Sequence, residues 1–249
     1  CKGVAFKDDY LKMAVESKAV GFVSEKYYDE YVDIVPFVQV NSATKALSVL
    51  AIHFYDRPSQ SFFLTGITGT AGKTTTTYMI HSICDANAKK ETGIISTNET
   101  YCGTMEVSSQ AYSVNRVYDQ IFDIGIFMNI DKDHIGGPEH PSYEHYRSCK
   151  LELIKNSRTM LVYSRTKELD SILETASESD CNLILFDVDY TESDANCGCE
   201  ETIATYEGRR TISELQQKLG RQLNIYKTTK YKSLGSEGYS FTVSTPIKG

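Results

Sequence analysis

The chain has 249 residues, 41% hydrophobic and 24% charged, which is enough apolar material for one large domain or two small ones. This composition excludes a disordered or collagen-like chain. The formal net charge of −7 argues against a general nucleic-acid coat, which needs a large positive field. No apolar run approaches the roughly 20 residues of a membrane helix, and the opening CKGVAFKDDY lacks the pattern of a secretory signal, so we expect neither.

The seven cysteines are odd in number and irregularly spaced, which excludes a complete disulfide framework. Cys197 and Cys199 are the only close pair, and no second half of a metal site stands near them. We therefore expect reduced thiols, as in a cytosolic protein.

The first part of the chain predicts a small α/β unit over residues 1–58. Apolar residues at helical spacing and two short apolar segments define its elements, and Pro58 breaks the last helix. The predicted elements are a helix over 8–18, strands over 19–24 and 36–40, and a helix capped by Asn41 or Ser42 that runs to about Tyr55.

From residue 59 to 249, apolar strands alternate with helices, which predicts an α/β domain with a mostly parallel sheet. The predicted strands are 61–68, 92–96, 104–109, 122–130, 159–164 and 182–187, and the predicted helices are about 72–87, 143–155 and 166–178. After about residue 190, the segments 202–208 and 238–243 are typical of antiparallel strands appended to such a sheet.

The connection between the strands predicted at 92–96 and 104–109 is short. A parallel crossover needs about a dozen residues, and only residues 97–103 are available. Either these strands are not parallel neighbours, or residues are missing from the sequence between them. A mobile loop missing from the sequence at this point is our hypothesis.

A glycine-rich turn, TGTAGKTT over 68–75, joins the strand 61–68 to the next helix and predicts a nucleotide-binding loop. Glycines allow backbone N–H groups to surround a polyphosphate, and the helix N-terminus adds partial positive charge. Lys73 can reach the terminal phosphates and the Thr74 hydroxyl can bind Mg²⁺. The strict P-loop pattern fails, since Ile67 occupies the first glycine position. The predicted nucleotide-binding residues are Gly69, Thr70, Ala71, Gly72, Lys73, Thr74, Thr75 and Asn129.

The short loop resembles that of the Mur ligases, the ATP-dependent amide-forming enzymes of peptidoglycan synthesis. Three further segments are similar to motifs of that family: MEVSSQA over 105–111, NIDKDH over 129–134, and YRSCKL over 146–151. Gln110 stands where the family usually has histidine, which is a departure from the pattern.

The resemblance implies roles for individual residues. Glu106 and His134 are implied as Mg²⁺ ligands beside Thr74, although imidazole is an unusual ligand for an ion that prefers oxygen. Lys150 matches a family lysine that is carbamylated and then contacts Mg²⁺. With Lys73, these side chains form the implied catalytic set. Ser108, Arg116 and Thr97 are implied to contact the sugar-peptide substrate.

The resemblance further implies an ATP- and Mg²⁺-dependent ligase in the cytoplasm that adds an amino acid to UDP-N-acetylmuramoyl-dipeptide through an acyl phosphate. We expect a monomer in which 1–58 is part of a UDP-sugar-binding domain and 59–249 is the central ATP-binding domain, with the family's C-terminal domain absent. The alternatives are a folylpolyglutamate synthase-like enzyme, a ligase subunit that amidates lipid II, and a catalytically idle nucleotide-binding paralogue. The identity of the added amino acid stays open.

Overall fold

The computed structural model describes residues 8–87, 92–93, 102–133, 135–188, 202–233 and 239–244. Contacts between Cα atoms divide the chain into two units, which separate between Pro58 and Ser59. The first unit also takes in Val114–Asp119 from later in the chain. In the described residues, no helix is long and apolar enough to cross a membrane.

The first unit contains two short parallel strands and two helices. The strands pair Phe22 with Phe37, whose rings stack with centroids 4.8 Å apart. The second helix begins after Ser42, whose hydroxyl accepts a hydrogen bond from Lys45 N at 3.4 Å. Its elements are α1 (Asp8–Glu16), β1 (Phe22–Ser24), β2 (Phe37–Gln39) and α2 (Ala43–Phe54).

The second unit is built on an eight-stranded sheet. The strands lie in the order β12-β11-β8-β7-β6-β3-β5-β4, and all neighbouring pairs are parallel except β11 with β12. Its strands are β3 (Phe63–Thr68), β4 (Thr92–Gly93), β5 (Cys102–Glu106), β6 (Phe122–Phe127), β7 (Ser157–Tyr163), β8 (Asn182–Val188), β11 (Asn224–Ser233) and β12 (Tyr239–Ser244). The α/β class with a mostly parallel sheet is confirmed.

Helices pack on this sheet, and a separate two-stranded hairpin lies beside the helix that follows it. Apolar side chains of the central strands and helices form the core, and Phe122, Phe127, Leu153, Met160 and Leu173 are fully buried. The helices are α3 (Lys73–Asn87), α4 (Ser109–Ser113), α5 (Tyr143–Lys155), α6 (Leu169–Ser177) and α7 (Ile212–Leu219), and the hairpin is β9 (Thr202–Thr205) with β10 (Gly208–Thr211).

The last part of the chain differs from the sequence-based prediction. β11 was not predicted, and it pairs in parallel with β8. Of the two segments predicted as antiparallel strands, 238–243 overlaps β12, which is antiparallel to β11 at the sheet edge, whereas 202–208 contributes β9 to a separate two-stranded sheet with β10. Helix α7 was also missed, although Thr211 and Glu214 form a reciprocal capping box at its start. Together, hairpin and helix belong to the connection from β8 to β11, so this region continues the α/β pattern before β12 turns back.

The strands β4 and β5 are parallel neighbours, with Thr92 opposite Cys102. The first explanation for the short connection, that the two strands are not neighbours, is therefore wrong. Residues 94–101 lie outside the described residues, and the hypothesis that residues are missing between the strands stays a prediction.

Candidate active site

The glycine-rich loop follows β3, on either side of which the strand connections run in opposite directions across the sheet. β3 pairs with β5 on one side and β6 on the other, and the chain visits β5 first. In parallel α/β sheets, ligands bind outside the carboxyl ends of the strands at such a switch point. Pairing continues past the strand ends through Val107 N to Ile67 O at 2.8 Å and Met128 N to Thr68 O at 3.0 Å. Segments following both neighbours therefore flank the loop.

Two glycines in the loop are required by its conformation and packing. Gly72 has a φ of +85°, and a Cβ there would lie 2.9 Å from Met128 Cε. A Cβ at Gly69 would lie 3.1 Å from Met128 Cβ and 3.2 Å from Ala71 O. The segment after β6 thus approaches the loop too closely for larger residues.

Asn129 braces the loop through its side-chain amide. Its Oδ1 accepts hydrogen bonds from Thr70 N at 2.8 Å and Ala71 N at 3.0 Å. Its Nδ2 donates to Ala71 O at 3.1 Å. Because these contacts engage the loop backbone itself, Asn129 acts in this structure on the shape of the loop. Its predicted contact with the nucleotide stays a prediction.

The Thr70 hydroxyl anchors the loop to two other segments. It accepts a hydrogen bond from Asp131 N at 2.9 Å and lies 2.9 Å from the Tyr146 hydroxyl on α5. Burial raises the pKa of Tyr146, and the nearby charges of Asp131 and Asp133 raise it further, while the hydrogen bond to Thr70 lowers it. The phenol therefore stays protonated and can donate at neutral pH.

Lys73 opens α3 and turns its ammonium back over the loop. Its Nζ donates to Gly69 O at 2.8 Å and Thr70 O at 3.4 Å. The first N–H groups of a helix have no partner inside the helix, so the first turn of α3 presents donors and partial positive charge. Thr74 and Thr75 lie exposed on this turn. These features match what a polyphosphate requires.

Lys150 is only 2% exposed, on α5 behind the loop. Its Nζ lies 4.9 Å from the ring centroid of Tyr146. Burial and, to a smaller extent, the charge of Lys73 together lower the pKa of Lys150 to about 7, against an opposing effect of Asp133. Two lysines therefore converge on one region, and one of them has a substantial neutral fraction near neutral pH.

The remaining predicted residues are distributed around this centre or lie outside it. Glu106 is exposed at the carboxyl end of β5, opposite Ile67 in register, and Ser108 follows just before α4. Arg116 is exposed in the first unit. His134 and Thr97 lie outside the described residues.

Sequence reasoning missed two supports of the site. Tyr146 is the first residue of the YRSCKL motif, but nothing in the sequence indicated that its hydroxyl would contact the Thr70 hydroxyl. Gln110, the departure from the family pattern, donates to the Glu139 carboxylate, and Ser113 Oγ donates to Glu139 O at 3.0 Å. These contacts tie α4 to the loop before α5.

Known proteins resemble this chain in sequence and in fold. The model of the Mur ligase middle domain matches residues 95–225. A UDP-N-acetylmuramyl-tripeptide synthetase of Lactobacillus delbrueckii subsp. bulgaricus is 33% identical over 211 residues, covering 71% of this chain and 41% of that protein. A UDP-N-acetylmuramoyl-L-alanyl-D-glutamate–L-lysine ligase of Streptococcus pneumoniae is 36% identical over 211 residues, covering 72% and 43%.

These matches bear on the length of the chain. Because 71% of 249 residues is about 177, the 211-residue match to the Lactobacillus protein contains about 34 positions without a counterpart here. The chain spans about two fifths of the length of these relatives.

A solved structure shows the same fold. A UDP-N-acetylmuramoyl-L-alanyl-D-glutamate–2,6-diaminopimelate ligase aligns with a TM-score of 0.65 at 12% identity, covering 95% of this chain and 48% of that one. The family is shown by the sequence match: the Mur ligase middle-domain model covers more than half of the residues, and the chain therefore belongs to the Mur ligase family.

Proposed function

We propose that this chain is the ATP-binding part of a cytoplasmic ligase that adds an amino acid to UDP-N-acetylmuramoyl-dipeptide. The observation that carries the proposal is the braced loop at the switch point, with Lys73 over it and Lys150 within electrostatic range. The relatives' names supply the substrate class, since they denote tripeptide synthetases and a lysine ligase.

The proposed reaction has two steps. The γ-phosphate of ATP passes to the free carboxylate of the peptide, giving an acyl phosphate and ADP. The amine of the incoming amino acid then attacks the acyl carbon, an amide bond forms, phosphate leaves, and the amine loses a proton. Lys73 and the N–H groups at the start of α3 stabilise the negative charge on the phosphates in the first step.

The side chains around the loop fit Mg²⁺. Thr74 offers a hydroxyl and Glu106 a carboxylate, both exposed, and oxygen donors of this kind suit the ion. His134 and a carbamylated Lys150 complete the proposed set. When bound, Mg²⁺ supplies the positive charge that lets two anionic substrates come together.

The surroundings of Lys150 support its proposed carbamylation. Only a neutral amine reacts with CO₂, and a pKa of about 7 leaves much of Lys150 neutral at physiological pH. The carbamate would replace the repulsion between Lys150 and Lys73 by attraction. It would also provide an oxygen ligand where the amine provides none.

Other parts of the proposal rest on the family resemblance. Ser108, Arg116 and Thr97 would contact the UDP-sugar-peptide, with 1–58 part of the domain that binds its uridine and 59–249 the ATP-binding domain. A monomer is expected.

The test is phosphate release by the full-length protein that contains this chain, supplied with ATP, Mg²⁺, UDP-N-acetylmuramoyl-dipeptide and single amino acids. Release that requires both the dipeptide and either lysine or diaminopimelate is expected. A folate acceptor serves as the comparison for a folylpolyglutamate synthase. ATP binding without phosphate release in the presence of any muramoyl acceptor would contradict the proposed ligase activity. It would indicate a catalytically idle paralogue.

A further inference from the structure

A cluster of nitrogen and sulfur donors lies beside the site but is not used by the proposed reaction. It consists of His140, His145 and Cys149, whose candidate ligand atoms all lie within 4.8 Å of one another. His145 and Cys149 are one helical turn apart on α5, which places them on the same face. His140 comes from the loop before that helix.

The distances approach those of a metal site. His140 Nδ1 and His145 Nδ1 are 3.2 Å apart, and Cys149 Sγ is 4.0 Å from the His145 ring nitrogens. A tetrahedral zinc ion with bonds of about 2.0 Å to nitrogen and 2.3 Å to sulfur holds its ligand atoms roughly 3.3–3.7 Å apart. The two imidazoles are already close to this spacing, whereas Cys149 Sγ would have to move toward them, by up to about 1 Å, for the three donors to meet one ion.

Burial and packing hold two of the three side chains in place. His140 is fully buried and Cys149 is 7% exposed, whereas His145 is partly accessible and leaves an approach for an ion. The His140 ring packs edge-on against the Tyr146 ring, with centroids 5.2 Å apart. The backbone carbonyl of His140 accepts a hydrogen bond from Gly136 N at 2.9 Å. The donors are thus partly pre-organised.

We propose that His140, His145 and Cys149 bind a zinc-like divalent ion that fastens the 135–142 loop to α5. Two imidazoles and a thiolate suit Zn²⁺ and are poor ligands for Mg²⁺, so this site differs from the proposed magnesium site in its chemistry. The ion's two ligands on α5, His145 and Cys149, directly precede Tyr146 and Lys150 in the sequence. It would therefore stabilise the helix that supports the nucleotide loop.

Cobalt provides a direct probe, because Co²⁺ bound to a thiolate absorbs through sulfur-to-metal charge transfer. The background carries C197S and C199S, which removes the other closely spaced cysteine pair. One Co²⁺ per chain with a charge-transfer band is expected, displaced by Zn²⁺. C149S should lose the band and H145A should weaken binding at least tenfold, while C181S, which removes a buried cysteine elsewhere, should bind normally.

X-ray absorption at the zinc edge needs only the C197S/C199S background, in which Cys149 is intact. The result therefore does not depend on whether C149S or H145A folds. It should show one sulfur at about 2.3 Å and at least two nitrogens at about 2.0 Å. Two sulfurs would overturn the proposal and point to Cys84 and Cys102, whose Sγ atoms lie 3.2 Å apart. Absence of stoichiometric metal, or a cobalt band that persists in C149S, would overturn it as well.

Discussion

The buried Lys150 shows how a single residue acquires its chemistry from its surroundings. On an exposed helix it would be an ordinary cation, but burial and the charge of Lys73 lower its pKa to about 7. The neutral amine that results is the form that reacts with CO₂. The motif around it suggested the modification, and the tertiary structure supplies the physical reason.

Carbamylation of Lys150 is therefore expected to increase with pH. In ¹³C-bicarbonate, a carbamate carbon signal should rise between pH 6 and 8 as the neutral fraction of the amine grows. K150R should show no such signal, since a guanidinium does not react. A signal of equal size in K150R would assign the carbamate to another lysine.

The same lowered pKa has a consequence for stability. In bicarbonate-free buffer, unfolded Lys150 binds its proton up to about pH 10.5, while folded Lys150 releases it at about pH 7. The free energy of unfolding should thus rise between these pH values on account of this group, and the full cost should apply below pH 7. K150M should be more stable at pH 7 by roughly a few kcal/mol and should lose this part of the slope. Chemical denaturation at several pH values measures both the stability at pH 7 and its pH dependence. The same pH dependence in K150M and in the unaltered chain would contradict the low pKa of Lys150.

Asn129 is the second residue whose role depends on the fold. N129A removes three side-chain hydrogen bonds. Ala71 N loses its acceptor, while Thr70 N keeps only the Asn129 backbone carbonyl at 3.2 Å, so the free energy of unfolding should fall by about 1–3 kcal/mol. ATP affinity should fall with it. N129D keeps an acceptor but places negative charge beside the phosphates, so it should lose affinity more than stability.

Denaturation and calorimetric ATP titration separate these effects. N182A serves as the matched control, because Asn182 is an exposed asparagine at the start of β8. Unchanged ATP affinity in both Asn129 variants would show that the brace has no influence on the nucleotide loop.

At the scale of elements, α5 supports the loop from behind. It contributes the Tyr146 hydroxyl to Thr70, buries Lys150 on a neighbouring position, and carries Leu153 and Ile154 into the core. Its start is capped by Ser142, whose Oγ accepts from His145 N at 3.2 Å. A helix anchored at both its cap and its core can hold a loop in one geometry.

Y146F tests this support by removing one hydroxyl while keeping the ring. We expect ATP affinity to fall several-fold and stability to fall by about 1 kcal/mol, the usual net value of one hydrogen bond. Y78F is the control, since Tyr78 is exposed on α3. Equal affinities in Y146F and the unaltered chain would mean that Asn129 and Asp131 suffice to shape the loop.

The elements themselves were largely predictable. Apolar periodicity and caps gave α2, α3 and α5 to within about two residues, because these helices bury one face and begin at Ser42, a glycine turn and Ser142. Helix α7 was missed despite its capping box, since it is short and apolar only at Ile212, Leu215 and Leu219. Strand β11 was missed because its sequence, rich in Lys and Thr, lacks an apolar run.

At the scale of the whole molecule, ligand binding should be visible as stabilisation. Saturation with MgATP at 100 times its dissociation constant adds about 2.7 kcal/mol to the free energy of unfolding. The thermal midpoint should rise accordingly, and K73M should abolish the rise. K12M, which alters an exposed lysine of the first unit, should keep it. A rise of equal size in K73M would place the nucleotide elsewhere.

The sequence by itself determined the α/β class, the succession of most strands and helices, the glycine-rich loop and the family motifs, because periodicity, glycine turns and caps act locally. The tertiary structure alone decided which strands are neighbours, the parallel pairing of β11 with β8, the brace formed by Asn129 and Tyr146, and the low pKa of Lys150. These properties arise between residues far apart in the chain, as with the 76 positions separating Thr70 from Tyr146. Desolvation and charge proximity depend on packing, which no local pattern encodes.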